Sequence, residues 1–315
     1  METRLTRLLG IRHPVIQGGL AYLAYAELAA AVSNAGGLGQ VTATFVGEAG
    51  WLRNEIAKVR RLTDKPFGVN FSLGRHFSPE LVDVVLAEKV PVVSITGGNP
   101  EPVLVRLAGS DIISMVLVAG VRQAQKAEGL GAGVVIAVGC EGGGHIGRDD
   151  TTTLVLAPRV ARAVKVPVVA SGGIATGGQL AAALALGAEG IEMGTRFVAT
   201  QECVAHPNYK QALVAAKETD TLVIERSIGR PARVLRGPYS EQILALEARG
   251  ASTEELLPYI SGAANRRAAI DGKMDEGFVW AGESVGFIDD VPTVAELMER
   301  LMAEAEAARR RVCEA

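Results

Sequence analysis

Between Pro14 and Thr195 the chain repeats one unit: a short apolar run, then a glycine-marked turn, then a helical stretch. The runs are Pro14-Val15-Ile16-Gln17, Leu38-Gly39-Gln40-Val41, Pro66 to Asn70, Pro91 to Ile95, Ile112 to Val118, Gly133 to Val138, Pro167 to Ala170, and Glu189 to Met193. Helices are expected over Ala21–Asn34, Gly47–Leu62, Leu81–Ala87, Val121–Leu130, Leu156–Val164 and Ala175–Leu186, the last stopped by Gly187. Apolar strands alternating with helices imply a parallel sheet buried on both faces. Eight such strands close into a (β/α)8 TIM barrel, so the fold class is α/β. An open doubly wound sheet is the rival, but its GxGxxG fingerprint is missing, because the first turn reads Gln17-Gly18-Gly19-Leu20.

After Thr195 the regularity fails. A helix opens at Pro207, one strand is expected over Thr221–Ile228, and prolines, arginines and short helical stretches follow to Trp280. Order returns where Thr293 and Glu296 make a capping box ahead of an apolar stripe of Val294, Leu297, Met298, Leu301 and Met302. The expected organisation is a (β/α)8 barrel in residues 1–220, completed by a C-terminal helix in 287–315, with a small, mostly helical cap in 221–286.

Charge narrows the partners. With 32 Lys and Arg against 35 Asp and Glu, the net charge of −3 gives no basic surface for nucleic acid. No run approaches the roughly 18 apolar residues of a membrane span. Three cysteines, Cys140, Cys203 and Cys313, form no CxxC pair and suit a reducing cytoplasm, the expected location. A small-molecule substrate is the expected partner, and a homodimer is compatible with the sequence.

In a barrel of this kind, chemistry sits at the C-terminal ends of the strands. Ser171-Gly172-Gly173 ends the seventh strand and Gly194-Thr195 the eighth, the two places where such barrels bind phosphate. After the sixth strand, Gly142-Gly143-Gly144-His145 sets three glycines beside a histidine. Glycine loses the most backbone entropy on folding, so the run makes sense where something flat approaches the backbone and His145 points at it. His13, His76 and His206 read as structural. Cys140 reads as packed rather than nucleophilic, and Asp149-Asp150 as capping for a helix starting in Thr151-Thr152-Thr153. Scattered histidines without HxH or HExxH leave no metal site.

Taken in order, these segments resemble the nitronate monooxygenase family, formerly the 2-nitropropane dioxygenases. Its relatives include NAD(P)H-dependent quinone reductases and flavin-dependent enoyl-acyl-carrier-protein reductases. The likeness is carried by Pro14 to Gly19, Ala35-Gly36-Gly37-Leu38-Gly39, Lys65 to Asn70, Gly143 to Gly147, Ala170 to Ile174 and Met193-Gly194-Thr195-Arg196-Phe197. It continues through His206-Pro207 and Pro231-Ala232-Arg233-Val234 to Gly282 and Gly286.

The resemblance implies a capped barrel holding non-covalent FMN. It implies Gly18, Gly19 and Leu20 at the isoalloxazine, Asn70 at its polar edge, and Gly143 and Gly144 beneath the ring. Ser171, Gly172, Gly173, Gly194 and Thr195 would hold the phosphate. His145 takes the catalytic position, as a base toward a nitroalkane or a charge-stabilising group toward a nitronate, with O2 as co-substrate and a carbonyl compound and nitrite as products. The alternative is NADH- or NADPH-dependent reduction of a quinone or enoyl-acyl-carrier-protein at the same FMN/His site. Some relatives carry charged groups where this chain has Leu117 and Val138. A flavin-free isomerase or aldolase would need a lysine or carboxylate at a strand end as well placed as His145. A non-catalytic role is weak while the histidine loop is intact.

Overall fold

The computed structural model describes residues 1–43, 48–74 and 77–314. In chain order its strands are β1 (Val15–Gln17), β2 (Gly39–Thr42), β3 (Phe67–Ser72), β4 (Val92–Thr96), β5 (Ile113–Val118) and β6 (Val134–Val138). They continue with β7 (Gly144–His145), β8 (Val168–Ser171), β9 (Gly190–Met193), β10 (Thr221–Ile224) and β11 (Ala232–Leu235). One eight-stranded sheet runs β1-β9-β8-β6-β5-β4-β3-β2, and its paired neighbours are parallel. A parallel bridge between Ile16 and Leu38 joins its two ends, with the Gln17 N–H donating to Leu38 O at 3.0 Å and the Leu38 N–H to Val15 O at 2.9 Å. The sheet is therefore closed, as the eight runs predict.

Closure divides each strand's residues between two environments, because successive side chains point to opposite faces. Val69, Phe71, Val93, Ile95, Val116 and Val135 face outward, packed among the helices. Ile16, Leu38, Val92, Met115, Ile136 and Val169 fill the interior. A helix at Arg4–Leu9, which sequence periodicity does not announce, plugs the lower mouth with Leu5 and Leu9, and Ile11 follows it. Its capping box, Thr3 with Thr6, explains how so short a segment stays helical.

The expected helices form with small boundary shifts. The first begins at Ala26 rather than Ala21, with Tyr25 as N-cap. One helix begins at Thr153 rather than Leu156, and a helix at Glu101–Leu107 fills a gap in the sequence reading. The second expected helix spans Ala49–Leu62, and Gly47 lies outside the described residues. Beyond the barrel, the cap-like region is helical but also carries a small sheet: β10 pairs antiparallel with β11, and β11 with β7. The histidine loop is thus a strand of the cap's sheet.

The C-terminal helix, Val294–Cys313, starts at the expected Thr293/Glu296 capping box and buries Val294, Leu297, Met298 and Leu301. It lies so close to the Gly177–Ala185 helix that a Cβ on Gly177 would sit 2.0 Å from Leu301 O and 2.4 Å from Ala305 N. Both are backbone atoms and cannot swing aside. Gly177→Ala is expected to cost about 1–3 kcal/mol through overpacking. Gly178→Ala, whose Cβ meets only Thr176 Oγ1 at 3.9 Å, should be neutral or slightly stabilising. Thermal or urea unfolding of the two variants checks the contrast, and equal midpoints would contradict it.

Candidate functional site

Toward the C-terminal ends of the strands the barrel interior changes character. The period-two register that puts Leu38, Val92 and Val169 inside also puts Gln40, Ser94 and Ser171 inside, two residues further along. Asn70 on β3 and Glu192 on β9 complete this buried polar layer, with Asn70 2% and Glu192 5% exposed. The Asn70 amide donates to Ser94 Oγ at 2.8 Å and Thr96 Oγ1 at 3.0 Å. Gln40 donates from Nε2 to Gln17 O at 2.9 Å, and its N–H donates to Gln17 Oε1 at 2.9 Å. Ser171 Oγ donates to Glu192 Oε2 at 2.9 Å, while Glu192 Oε1 and Gln40 Oε1 have no partner. Burial pushes the Glu192 carboxyl up to about 7, and the Ser171 hydrogen bond only partly offsets this. Leu117 and Val138 pack partly buried against the interior cluster and bring no charge to it.

Glycine turns surround this layer. The Gly18 N–H donates to Met193 O at 2.9 Å and the Leu20 N–H to Thr42 Oγ1 at 3.0 Å, which fixes the first turn. Gly19 passes so near Asn70 that a Cβ would lie 2.2 Å from Oδ1. At Gly143 the close neighbour is protein: a Cβ there would meet Gly282 N at 2.7 Å. Gly144 has φ +82 and open space around it. Gly172 and Gly173 take φ of +97 and +72, a turn that side-chain-bearing residues rarely adopt. Gly194 caps the short Thr195–Val198 helix, and Thr195 Oγ1 accepts from the Gly282 N–H at 3.0 Å. Glu141 binds the start of the Thr153–Ala161 helix, accepting from the Thr153 N–H at 2.9 and 3.0 Å. Arg233 staples the glycine loop to the cap: Nε donates to Cys140 O at 3.0 Å, and NH1 meets Glu283 Oε1 at 3.0 Å.

His145 is held by backbone pairing to Ala232 on β11. Its half-exposed ring lies 5.4 Å from that of Trp280, centroid to centroid, at 45°. Its Nε2 is 3.4 Å from the Arg230 guanidinium and 3.8 Å from Glu225 Oε2. A guanidinium only donates, so a neutral imidazole facing it presents the Nε2 lone pair. Glu225, 1% exposed, has φ +63, a strained conformation for a residue with a side chain. The Glu247 carboxylate holds that turn, accepting from the N–H groups of Glu225 and Ser227, each at 2.9 Å. Glu225 Oε2 has no hydrogen-bond partner and lies 3.7 Å from Arg230 Nε. The cluster of Glu225, Arg230 and Trp280 around His145 escaped the sequence reading. Only the run Glu225-Arg226-Ser227 to Pro231-Ala232-Arg233, within 15 residues of a predicted strand start, hinted at it.

A family model described as "Nitronate monooxygenase" matches residues 2–80 and 73–304, and the chain belongs to that family. FabK from Thermotoga maritima superposes with a TM-score of 0.94 at 41% identity, over 100% of this chain and 99% of that one. Nitroalkane oxidase from Streptomyces ansochromogenes gives a TM-score of 0.84 at 31% identity, covering 98% and 99%. In sequence, the (3aS,4S,5R,7aS)-5-hydroxy-7a-methyl-1-oxo-octahydro-1H-indene-4-carboxyl-CoA dehydrogenase of Rhodococcus jostii is 33% identical over 97% of this chain and 96% of its own length. The chain is therefore an enzyme of the flavin-dependent oxidoreductase superfamily that contains these proteins.

The remaining candidates have structural roles. His13 accepts at Nε2 from Arg12 Nε at 2.8 Å, and burial, then the Arg12 charge, lowers it to about 4. His206 Nδ1 caps the Pro207–Ala215 helix, accepting from the Asn208 N–H at 3.1 Å. His76 lies outside the described residues. Capping by Asp149-Asp150 is not what forms: Thr152 is the N-cap, Glu141 takes the Thr153 N–H, and Asp150 pairs with Arg226 at 2.8 Å. The acidic pair sits too early in the chain to reach the first turn, and a carboxylate from the β6 loop fills the place. Among the described residues no helix is long and apolar enough to cross a membrane, and no group of three or more His, Cys, Asp or Glu could hold a metal.

Burial and the Glu141 charge raise the Cys140 thiol, and burial pushes Cys203 up to about 11. Neither is set up as a thiolate nucleophile. Native alkylation with iodoacetamide at pH 8 should therefore modify the exposed Cys313 first, Cys140 more slowly, and Cys203 only on unfolding. Peptide mass spectrometry reads the order, and rapid labelling of Cys140 would reverse this assignment.

Proposed function

We propose that this chain is an FMN-dependent oxidoreductase that uses NADH or NADPH to reduce a small electron-poor substrate, an enoyl thioester or a quinone. The observation that carries the thioester substrate is the whole-length likeness to a dehydrogenase named for a carboxyl-CoA thioester, 33% identical over 97% of this chain, and reduction is the direction we propose for it here. The closer structural likeness to FabK supports the same side of the family. Oxidation of alkyl nitronates with O2 is the second reading, favoured by the nitronate monooxygenase match and by the nitroalkane oxidase structure.

The residues present fit a flavin mononucleotide. A buried polar layer with an unpartnered carboxyl oxygen meets the polar part of such a molecule, and the positive-φ turn at Gly172 and Gly173 leaves backbone free to approach a phosphate. In this reading Ser171, Gly172, Gly173, Gly194 and Thr195 hold the phosphate, and Gly18, Gly19, Leu20, Asn70, Gly143 and Gly144 hold the ring. Bound flavin supplies the two-electron chemistry.

The protein's own part is charge and orientation. His145 hydrogen-bonds the carbonyl oxygen of the substrate and supplies a proton where negative charge develops. Arg230, 3.4 Å from His145 Nε2, faces the lone pair of that nitrogen, so that a neutral imidazole carries its donated proton on Nδ1. Buried Glu225 acts through the imidazole as a positioning residue, keeping it turned toward the cap's inner face. The Trp280 ring closes one side of the imidazole against water.

Purified protein should be yellow, bleach anaerobically with NADH or NADPH, and regain colour when an enoyl thioester or a quinone is added. Bleaching by a nitronate but by neither nucleotide would replace this reading with the oxygenase. His145→Ala should keep its flavin and lose at least about two orders of magnitude in turnover with the thioester. An unchanged rate would remove the imidazole from the chemistry.

A further inference from the structure

Glu192 is the one carboxyl in the buried polar layer, and its protonation state has no part in the function proposed above. Its strand ends one residue later, at Met193, and leads into Gly194-Thr195, and its hydrogen-bond partner Ser171 is followed directly by Gly172-Gly173. Both proposed phosphate turns thus spring from the two strands that this carboxyl bridges. It also lies under the first turn, because a Cβ on Gly18 would be 3.2 Å from Glu192 Cδ. One oxygen is satisfied by Ser171 Oγ at 2.9 Å, and the other is buried without a partner.

No cation faces it. The neighbouring strands bring neutral groups to the upper interior: Gly18 from β1, Gln40 from β2, Asn70 from β3, Ser94 from β4, Leu117 from β5, Val138 from β6 and Ser171 from β8. The carboxylate of the β6 loop, Glu141, is turned to the Thr153 N–H. The raised affinity of Glu192 for its proton follows from burial, with no neighbouring charge contributing. As a neutral acid, Glu192 can offer its proton to a polar ligand atom, and it places no charge beside a phosphate. Ionised, it sets a negative charge in low dielectric beneath an anionic ligand, where repulsion is weakly screened.

We propose that Glu192 must hold its proton for the site to accept a mononucleotide, so that ionising this carboxyl drives the phosphorylated cofactor out. The inference rests on the flavin reading above and adds a pH gate to it. Its sign is unusual. The second ionisation of a phosphate monoester, near ~6, makes backbone N–H turns bind more tightly as pH rises, whereas Glu192 makes the whole site bind more weakly above about 7.

The test is a titration of flavin-free full-length protein with FMN, followed by flavin fluorescence, from pH 6 to pH 9. Affinity in the wild type should fall about tenfold per pH unit above 7, and Glu192→Gln, which mimics the neutral acid, should bind with no fall over the same range. A fall of the same steepness in Glu192→Gln, or a flat wild type, overturns the gate. Calorimetry on the wild type alone supplies a second reading should the variant not fold. At pH 8, FMN binding measured in buffers of different ionisation heat should take up about one proton, and no uptake rejects the proposal.

Stability without cofactor separates the two levels of inference. Because the folded carboxyl is raised above its unfolded value, its contribution is fully present below about 4.5 and is lost as pH rises through about 7. Glu192→Gln should therefore flatten the midpoint-against-pH curve between pH 5 and 8. A flattened curve in a protein that binds no FMN at any pH rejects the flavin reading, and the gate with it, while leaving the titrating carboxyl established. Binding of FMN with equal pH dependence in both proteins rejects the gate alone.

Discussion

The structure depends on barrel closure, sealed where β1 meets β2 through the Ile16–Leu38 bridge. A closed parallel sheet has no edge and leaves each strand one inward and one outward face. The outward face is largely apolar because helices cover it. The inward face changes within five or six residues from an apolar floor that excludes water to a buried polar layer above it. Leu5, Leu9 and Ile11 seal the lower end, so the polar side chains above them sit on a dry floor rather than over a channel. Burying Asn70 and Gln40 then costs little, since their amide N–H groups find acceptors on Ser94, Thr96 and Gln17 inside the layer.

Much of this was written plainly in the sequence. Proline before an apolar run and glycine after it mark strand boundaries through backbone geometry, which tertiary packing rarely overrides, and all eight barrel strands lie within two residues of their expected limits. The Thr293/Glu296 box and the stop at Gly187 were legible for the same local reason. The polar layer was legible too, at alternate positions of strands already recognised, yet only Asn70 and Ser171 stood out. Gln40, Ser94 and Glu192 each look like an isolated polar residue until the register shows that they share a face.

What the sequence did not disclose depends on distant pairing. The strand carrying His145 has two residues, too short for any periodicity, and exists because β11 lies beside it. Its partner Ala232 is far along the chain, as are Arg230 and Glu225. The plug helix Arg4–Leu9 is six residues long, and its burial is decided by the barrel mouth rather than by its own pattern. Glu225 shows the limit most clearly: a charged residue ending a strand reads as solvated, but the turn held by Glu247 rotates it inward to 1% exposure.

The cap sheet joins the two halves of the site. Because β7 belongs to the loop after β6 and pairs with β11, the glycine loop cannot move without moving the cap, and Arg233 ties the same two pieces at Cys140 O and Glu283. The imidazole is therefore positioned by the cap and not by the barrel whose strand leads to it. Substrate-shaped variation in the cap would carry His145, Arg230 and Glu225 with it as a unit, while the polar floor beneath stays fixed by closure. On the proposed function that separation has a use: a rigid floor set by the sheet would hold the cofactor, while a proton-handling imidazole would travel with the surface that meets the substrate.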